Sequence, residues 1–127
     1  MVHYRLAGSD EDAQLSFLNK WMQIHLEDAE RALKKPILFS EFGKSYKDPG
    51  YNSAQRVMFY NTVYNNIYNA MKSGRAGGGG LFWQLMVEEM DSFADGYDIV
   101  LSKNPSIASI IYSQSHRMSV LNITMSK

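Results

Sequence analysis

Two short apolar runs, Ile37–Phe42 and Leu81–Met86, read as strands in this chain, and a long amphipathic stretch separates them. Strands joined through a helix pair in parallel, by a right-handed crossover rather than a hairpin. Parallel sheets are covered on both faces or closed into a barrel, and two strands can do neither. The order helix, strand, helix, strand, helix therefore describes a slice of a larger α/β fold. At 127 residues the chain has length for a single domain at most.

The helices are marked by periodicity and by their ends. From Ser9 to Lys35, Leu15, Leu18, Trp21 or Met22, His25, Ala29 and Ala32 or Leu33 recur every three or four residues. Ser9 is the expected N-cap, with Asp10, Glu11 and Asp12 in the first turn and Arg31, Lys34 and Lys35 near the end, before Pro36. Charges of both signs thus lie where the helix dipole favours them. Asp48–Asn52 reads as a turn, and a second helix is expected from Ser53 to Ser73 with Gly74 as its stop. Its inward face holds Val57, Tyr60, Val63 or Tyr64, Ile67 and Met71. Gly77–Gly80 reads as a flexible connection into the second strand, and a third helix runs from Pro105 to about Val120 with Ile107, Ile110, Ile111 and Met118 inward, capped by Asn104 or Ser102.

Composition narrows the function classes. Thirteen basic residues balance thirteen acidic ones, which leaves no electropositive surface for nucleic acid. The absence of cysteine excludes a disulfide framework and a thiolate metal site. No apolar run approaches the roughly 20 residues of a membrane span, and "MVHYRLAGSDED" carries no apolar signal-peptide core. His3, His25 and His116 have no metal-ligand spacing. "DSFADGYD" (Asp91 to Asp98) has two acids and the glycine of a calcium loop, but Phe93 and Ser102 stand at ligand positions, so it reads as a solvated or substrate-facing loop. The glycine run lacks the lysine of a phosphate loop and precedes a strand. "NIT" at Asn122 is a glycosylation acceptor only in a secreted protein.

Glu41 and Trp83 carry the chemistry. Glu41 stands at the carboxyl end of the first strand, where reactive groups of parallel α/β folds gather. The alternative is a strand-end acid that caps a turn or pairs with Lys44. Trp83 in the second strand offers a flat face on which a sugar ring could stack; the alternative is a core tryptophan.

"KPILFSEFGKSYKDPGYN", "GGGGLFWQLM" and "DGYDIVLSKNPS", preceded by "AGSDEDAQLSFLNKWMQIHLEDAE", together resemble the C-terminal part of plant endo-β-1,4-mannanases of glycoside hydrolase family 5. The resemblance covers nearly the whole chain, from about Gly8 to about Val120. It implies part of a (β/α)8 TIM barrel, a fold of about 250 residues, with the two strands as its seventh and eighth. It makes Glu41 the catalytic nucleophile and puts Trp83 in the substrate cleft, with no metal and no cofactor. The substrate implied is mannan or glucomannan, cut by retaining hydrolysis outside the cell, in the wall.

A retaining glycosidase needs a second carboxyl about 5–5.5 Å from the nucleophile. In the family it comes from an Asn-Glu motif on the fourth strand, which these 127 residues do not contain. "VHY" (Val2 to Tyr4) stands where the sixth strand would end, and Glu88 and Glu89 follow the second strand, but the resemblance gives neither group a role. The expectation is a chain inactive by itself, a truncated product or partial gene model with exposed sheet edges open to self-association. The alternatives are a non-catalytic carbohydrate-binding fragment, a barrel-complementing fragment, or a related β-1,4-glucanase.

Overall fold

The computed structural model describes the backbone of residues 10–125 and the side chains as far as residue 121. Helix α1 (Glu11–Asp28) runs into a π-helical turn (Ala29–Leu33), followed by β1 (Ile37–Phe42), α2 (Ser53–Lys72), β2 (Gly77–Phe82), a 3-10 turn (Asp91–Phe93) and α3 (Pro105–Met125).

The cap of α1 is Asp10 rather than Ser9, which lies outside the described residues: the Asp10 carboxylate accepts from the Ala13 amide at 2.7 Å. A carboxylate at this position satisfies an orphan amide and also meets the positive end of the helix dipole. The buried face is Met22, Leu26 and Ala29, spaced four and three apart. His25, expected on the inward face, is exposed, because Leu26 takes the inward place one residue on; the imidazole packs edge-on against Trp21, 4.4 Å between ring centres. The helix stops where Lys34 turns left-handed at φ 53°.

A capping box between Asn52 and Gln55 starts α2. The helix buries Tyr60, Val63, Tyr64, Ile67 and Ala70, together with Arg56. Gly74 ends it at φ 71°, and the Arg75 amide reaches back to the Ala70 carbonyl at 2.8 Å.

β1 and β2 pair in parallel from Ile37 opposite Gly77 to Phe42 opposite Phe82, as a helix crossover requires. The second strand, however, is Gly77–Phe82 and not Leu81–Met86: the glycine run is the strand, not a connection to it. Close approach explains the glycines. A Cβ on Gly78 would lie 2.8 Å from the Ile37 carbonyl oxygen, and one on Gly80 2.6 Å from Ile67 Cδ1 of α2. Beyond β2 the chain leaves the ladder, and Leu85 makes only an isolated parallel bridge with Ile99.

The core lies on one side of the sheet. Phe39 of β1 joins Met22, Leu26, Tyr60, Val63, Tyr64, Ile67, Ile99 and Ile107 in a single buried cluster. Ile110, Ile111 and Met118 of α3 pack against it, and α3 continues past Val120 to Met125. Each fully buried aliphatic or aromatic side chain there contributes roughly 1.5–3 kcal/mol. On the other side no described element covers the sheet: Leu38 is 55% and Leu81 56% exposed. Two apolar grooves of about 360 and 380 Å³ flank the sheet, the first between β1 and α1 and the second between β2 and α3.

Candidate functional site

Glu41 is the fifth residue of β1 and its backbone turns left-handed, at φ 56°. An L-residue seldom holds this conformation outside turns, and such positions gather at functional sites. The ladder shifts register between Ser40 and Phe42, so Glu41 drops out of the pairing with β2. Its side chain is exposed at the carboxyl end of the strand. Lys44, the candidate ion-pair partner, turns elsewhere: its ammonium donates to Gln14 Oε1 at 3.3 Å and lies 4.0 Å from the Asp48 carboxylate. The reading of Glu41 as one half of a pair with Lys44 is therefore not realised.

Trp83 is the first residue past β2, and its amide donates to the Phe42 carbonyl at 2.8 Å. That bond carries the ladder one step further and sets Trp83 beside the residue that follows Glu41. Trp83 is 39% exposed, which removes the reading of a core tryptophan. The Trp83–Gln84 peptide is cis. Gly43 lies against it: a Cβ there would come 2.6 Å from the Trp83 carbonyl oxygen and 3.0 Å from Cδ1 of Tyr97.

The loop from Asp95 to Asp98 completes the strand mouth. Trp83 Nε1 donates to Asp95 Oδ2 at 2.7 Å, while the other oxygen of the same carboxylate accepts from the Tyr97 amide at 2.9 Å. Burial pushes the Asp95 carboxyl up, but the bonds from Trp83, the Tyr97 amide and the Gln84 side chain outweigh it and hold the group below its usual range. The loop is tied down from beneath. Arg56, only 3% exposed, donates through Nη2 to the carbonyls of Tyr97 at 2.7 Å and Asp98 at 2.9 Å. Tyr46 adds its amide to the Gly96 carbonyl at 2.9 Å. Its phenol is raised above the ordinary tyrosine range by burial and by the bond to Asp98, against the pull of Arg56. Burial first, then Asp48 and Asp95, raises Tyr97 as well.

Sequence reasoning missed Arg56, Tyr46 and Tyr97, and placed Asp95 only in a generally acidic loop. One signal was available for Arg56: it stands four residues before Tyr60 on the inward stripe of α2, where a cation must find acceptors. The two glutamates after β2 form no bond with Glu41, Trp83 or Asp95. The Glu88 carboxylate accepts from the Ser102 hydroxyl, and Glu89 sits exposed at φ 71°. Among the described residues no three His, Cys, Asp or Glu side chains cluster as metal ligands. His3 and Tyr4 lie outside the described residues, and Asn122 falls within α3.

Chemically, the strand mouth offers an exposed carboxylate with no hydrogen bond or ion pair among the described residues, beside an anchored, half-open indole. A free carboxylate can attack an electrophilic carbon, and an aromatic face can hold a sugar ring whose axial C–H groups point at it.

No family model matches the chain. Among curated proteins, it is 49% identical over 117 residues to mannan endo-1,4-beta-mannosidase 1 of Oryza sativa subsp. japonica. It is 52% identical over 116 residues to mannan endo-1,4-beta-mannosidase 5 of Solanum lycopersicum, and 50% identical over 113 residues to mannan endo-1,4-beta-mannosidase 7 of Arabidopsis thaliana. These alignments take in 92, 91 and 89% of the chain but 27, 28 and 26% of the relatives, so the chain spans about a quarter of their length. Among solved structures, the endo-beta-1,4-mannanase from Thermotoga petrophila matches with a TM-score of 0.57 and 22% identity, over 87% of this chain and 23% of that one. That likeness supports the fold, a small α/β unit consistent with part of a barrel.

Proposed function

We propose, from the premise that this chain is homologous to the C-terminal portion of the plant mannan endo-1,4-beta-mannosidases, that it is the nucleophile-bearing segment of a retaining mannanase. In this reading β1 and β2 are the seventh and eighth strands of a (β/α)8 barrel. Their carboxyl ends deliver Glu41 and Trp83 to the catalytic mouth. Glu41 attacks the anomeric carbon of a β-1,4-linked mannosyl unit and the leaving sugar departs with a proton from a second carboxyl. Water then hydrolyses the glycosyl-enzyme bond with that second group acting as base. Trp83 stacks against the sugar at the cleavage point. The substrate would be mannan or glucomannan, and the place of action the cell wall.

Identity near one half along nearly the whole chain carries the proposal, since alignments of that length span both strand ends. The second carboxyl would come from outside these 127 residues, so the chain alone is expected to leave mannan intact. A segment swap tests the whole reading. With these residues in place of the corresponding part of the tomato relative, the chimera should hydrolyse mannan. Glu41→Gln should then lower kcat at least about a thousandfold, the scale seen when a covalent nucleophile is removed. A chimera that folds and cleaves equally well with the Glu41→Gln substitution would sink the nucleophile assignment. Preference for β-1,4-glucan over mannan would instead favour the glucanase alternative.

The open sheet edges favour a second reading, a fragment that completes a barrel by joining another partial chain. Activity restored by mixing with an N-terminal barrel fragment, and absent from either piece alone, would support it.

A further inference from the structure

We infer that Asp95 is a positioning residue, fixing the plane of the Trp83 indole so that its face stays open at the strand mouth. The inference rests on the carbohydrate reading above for what the indole holds, but not for how the indole is held.

Three observations converge. The backbone of Trp83 is pinned by its amide on the Phe42 carbonyl at 2.8 Å, and by Gly43 packed beneath its own carbonyl. With Trp83 39% exposed, packing alone leaves the orientation of its indole underdetermined. The one polar handle on the ring, Nε1, is taken by Asp95 Oδ2 at 2.7 Å, a short, charge-assisted bond.

Asp95 is itself preset. Its second oxygen is held by the Tyr97 amide at 2.9 Å, and the carbonyls of Tyr97 and Asp98 are gripped by the buried guanidinium of Arg56. The Gly96 amide donates to Asp98 Oδ1 at 3.1 Å, which closes the turn. A rigid chain of bonds therefore runs from inside α2, through the loop, to the indole. An aromatic platform fixed before binding loses less freedom when a ligand arrives.

The division of labour between the two carboxylate oxygens supplies a clean variant. Asp95→Asn can keep an oxygen on the Tyr97 amide, and so keep the turn. It then presents an NH2 group to Nε1, where two donors face each other. Asp95→Ala removes both bonds and the one from the Gln84 side chain.

The test uses the 127-residue chain, isotope-labelled, with two readouts: side-chain 15N relaxation of the Trp83 indole, and binding of β-1,4-linked mannohexaose. Asp95→Asn should raise indole mobility while the Tyr97 amide keeps its hydrogen-exchange protection. It should weaken mannohexaose binding by on the order of threefold to tenfold, the worth of one hydrogen bond. Asp95→Ala should in addition lose the Tyr97 protection. An indole as rigid in Asp95→Asn as in the parent chain overturns the inference, and so does weaker binding with no change in the indole, which would mean direct contact between Asp95 and sugar. If the indole loosens but the parent chain binds no mannohexaose, the anchor stands and the carbohydrate reading of this segment fails.

Discussion

At the residue scale, Glu41 sets local stability against the proposed chemistry. Its φ of 56° is a conformation that glycine adopts freely and other L-residues adopt at a cost. Glu41→Gly is therefore expected to stabilise the chain by about 0.5–1 kcal/mol, with all catalysis in the segment-swap chimera lost. Glu41→Ile should destabilise it by about 1–2 kcal/mol, because a β-branched side chain crowds the left-handed backbone. Urea unfolding of the three forms checks this order, and a glycine variant less stable than the parent would refute it. The position of Glu41 at the strand end was legible in the sequence, since an apolar run that stops at an acid marks both strand and end. Its backbone twist was not, because it arises from the register shift against β2 and not from any local residue type.

At the element scale, the glycine strand shows where pattern reading fails. Gly77–Gly80 has no side chains from which to read a period, so the sequence pushes the strand on to Leu81, where apolar side chains begin. Tertiary contact decides otherwise: a Cβ on Gly77 or Gly80 would crowd α2, and one on Gly78 the Ile37 carbonyl of β1. Gly78→Ala is expected to cost about 1–3 kcal/mol, because its new methyl meets the Ile37 carbonyl at 2.8 Å and backbone cannot step aside. Gly80→Ala should cost less, since the end of the Ile67 side chain can rotate away; equal losses in thermal or urea unfolding would contradict this account. The helices were more legible, because a helical period survives without tertiary information. Polar intruders such as Arg56 escaped it, and on α1 the period placed His25 inward where Leu26 is buried.

The same scale holds a pH effect. Arg75 Nε, just before β2, donates to Glu30 Oε1 at 2.9 Å, and the Ala76 amide reaches the same oxygen at 3.2 Å, tying the π-helical turn after α1 to the start of β2. The Arg75 bond, then the Ala76 amide, hold the Glu30 carboxyl below its usual range despite some burial. A carboxyl with a depressed folded pKa stabilises the fold above its ordinary pKa, and that contribution disappears as pH falls through the folded value. The Tm gap between the parent chain and Glu30→Gln should therefore be full near neutral pH and close below the ordinary glutamate range. A gap unchanged at acid pH would mean that Glu30 acts by packing alone.

For the whole molecule, the parallel pairing and the incomplete sheet follow from the order of elements alone, and the described structure has both. Among the described residues two strands expose a face and two edges, and here the face is apolar: Leu38 and Leu81 stand 55 and 56% exposed beside the two grooves. The chain spans about a quarter of its relatives' length, and in the proposed barrel further strands would cover these surfaces. Without such cover, unpaired strand backbone and apolar side chains seek the same partners from other copies. The purified 127-residue chain is expected to self-associate as its concentration rises, in sedimentation velocity. Leu38→Lys should shift that association to higher concentration at little cost in stability, because a charge on an exposed edge strand opposes pairing and Leu38 is outside the core cluster. Association unaffected by Leu38→Lys but relieved by a charge at Met118 would move the sticky surface from the β1 edge to the groove between β2 and α3. A chain that stays monomeric at high concentration would mean that the bare sheet is not the liability its exposure implies.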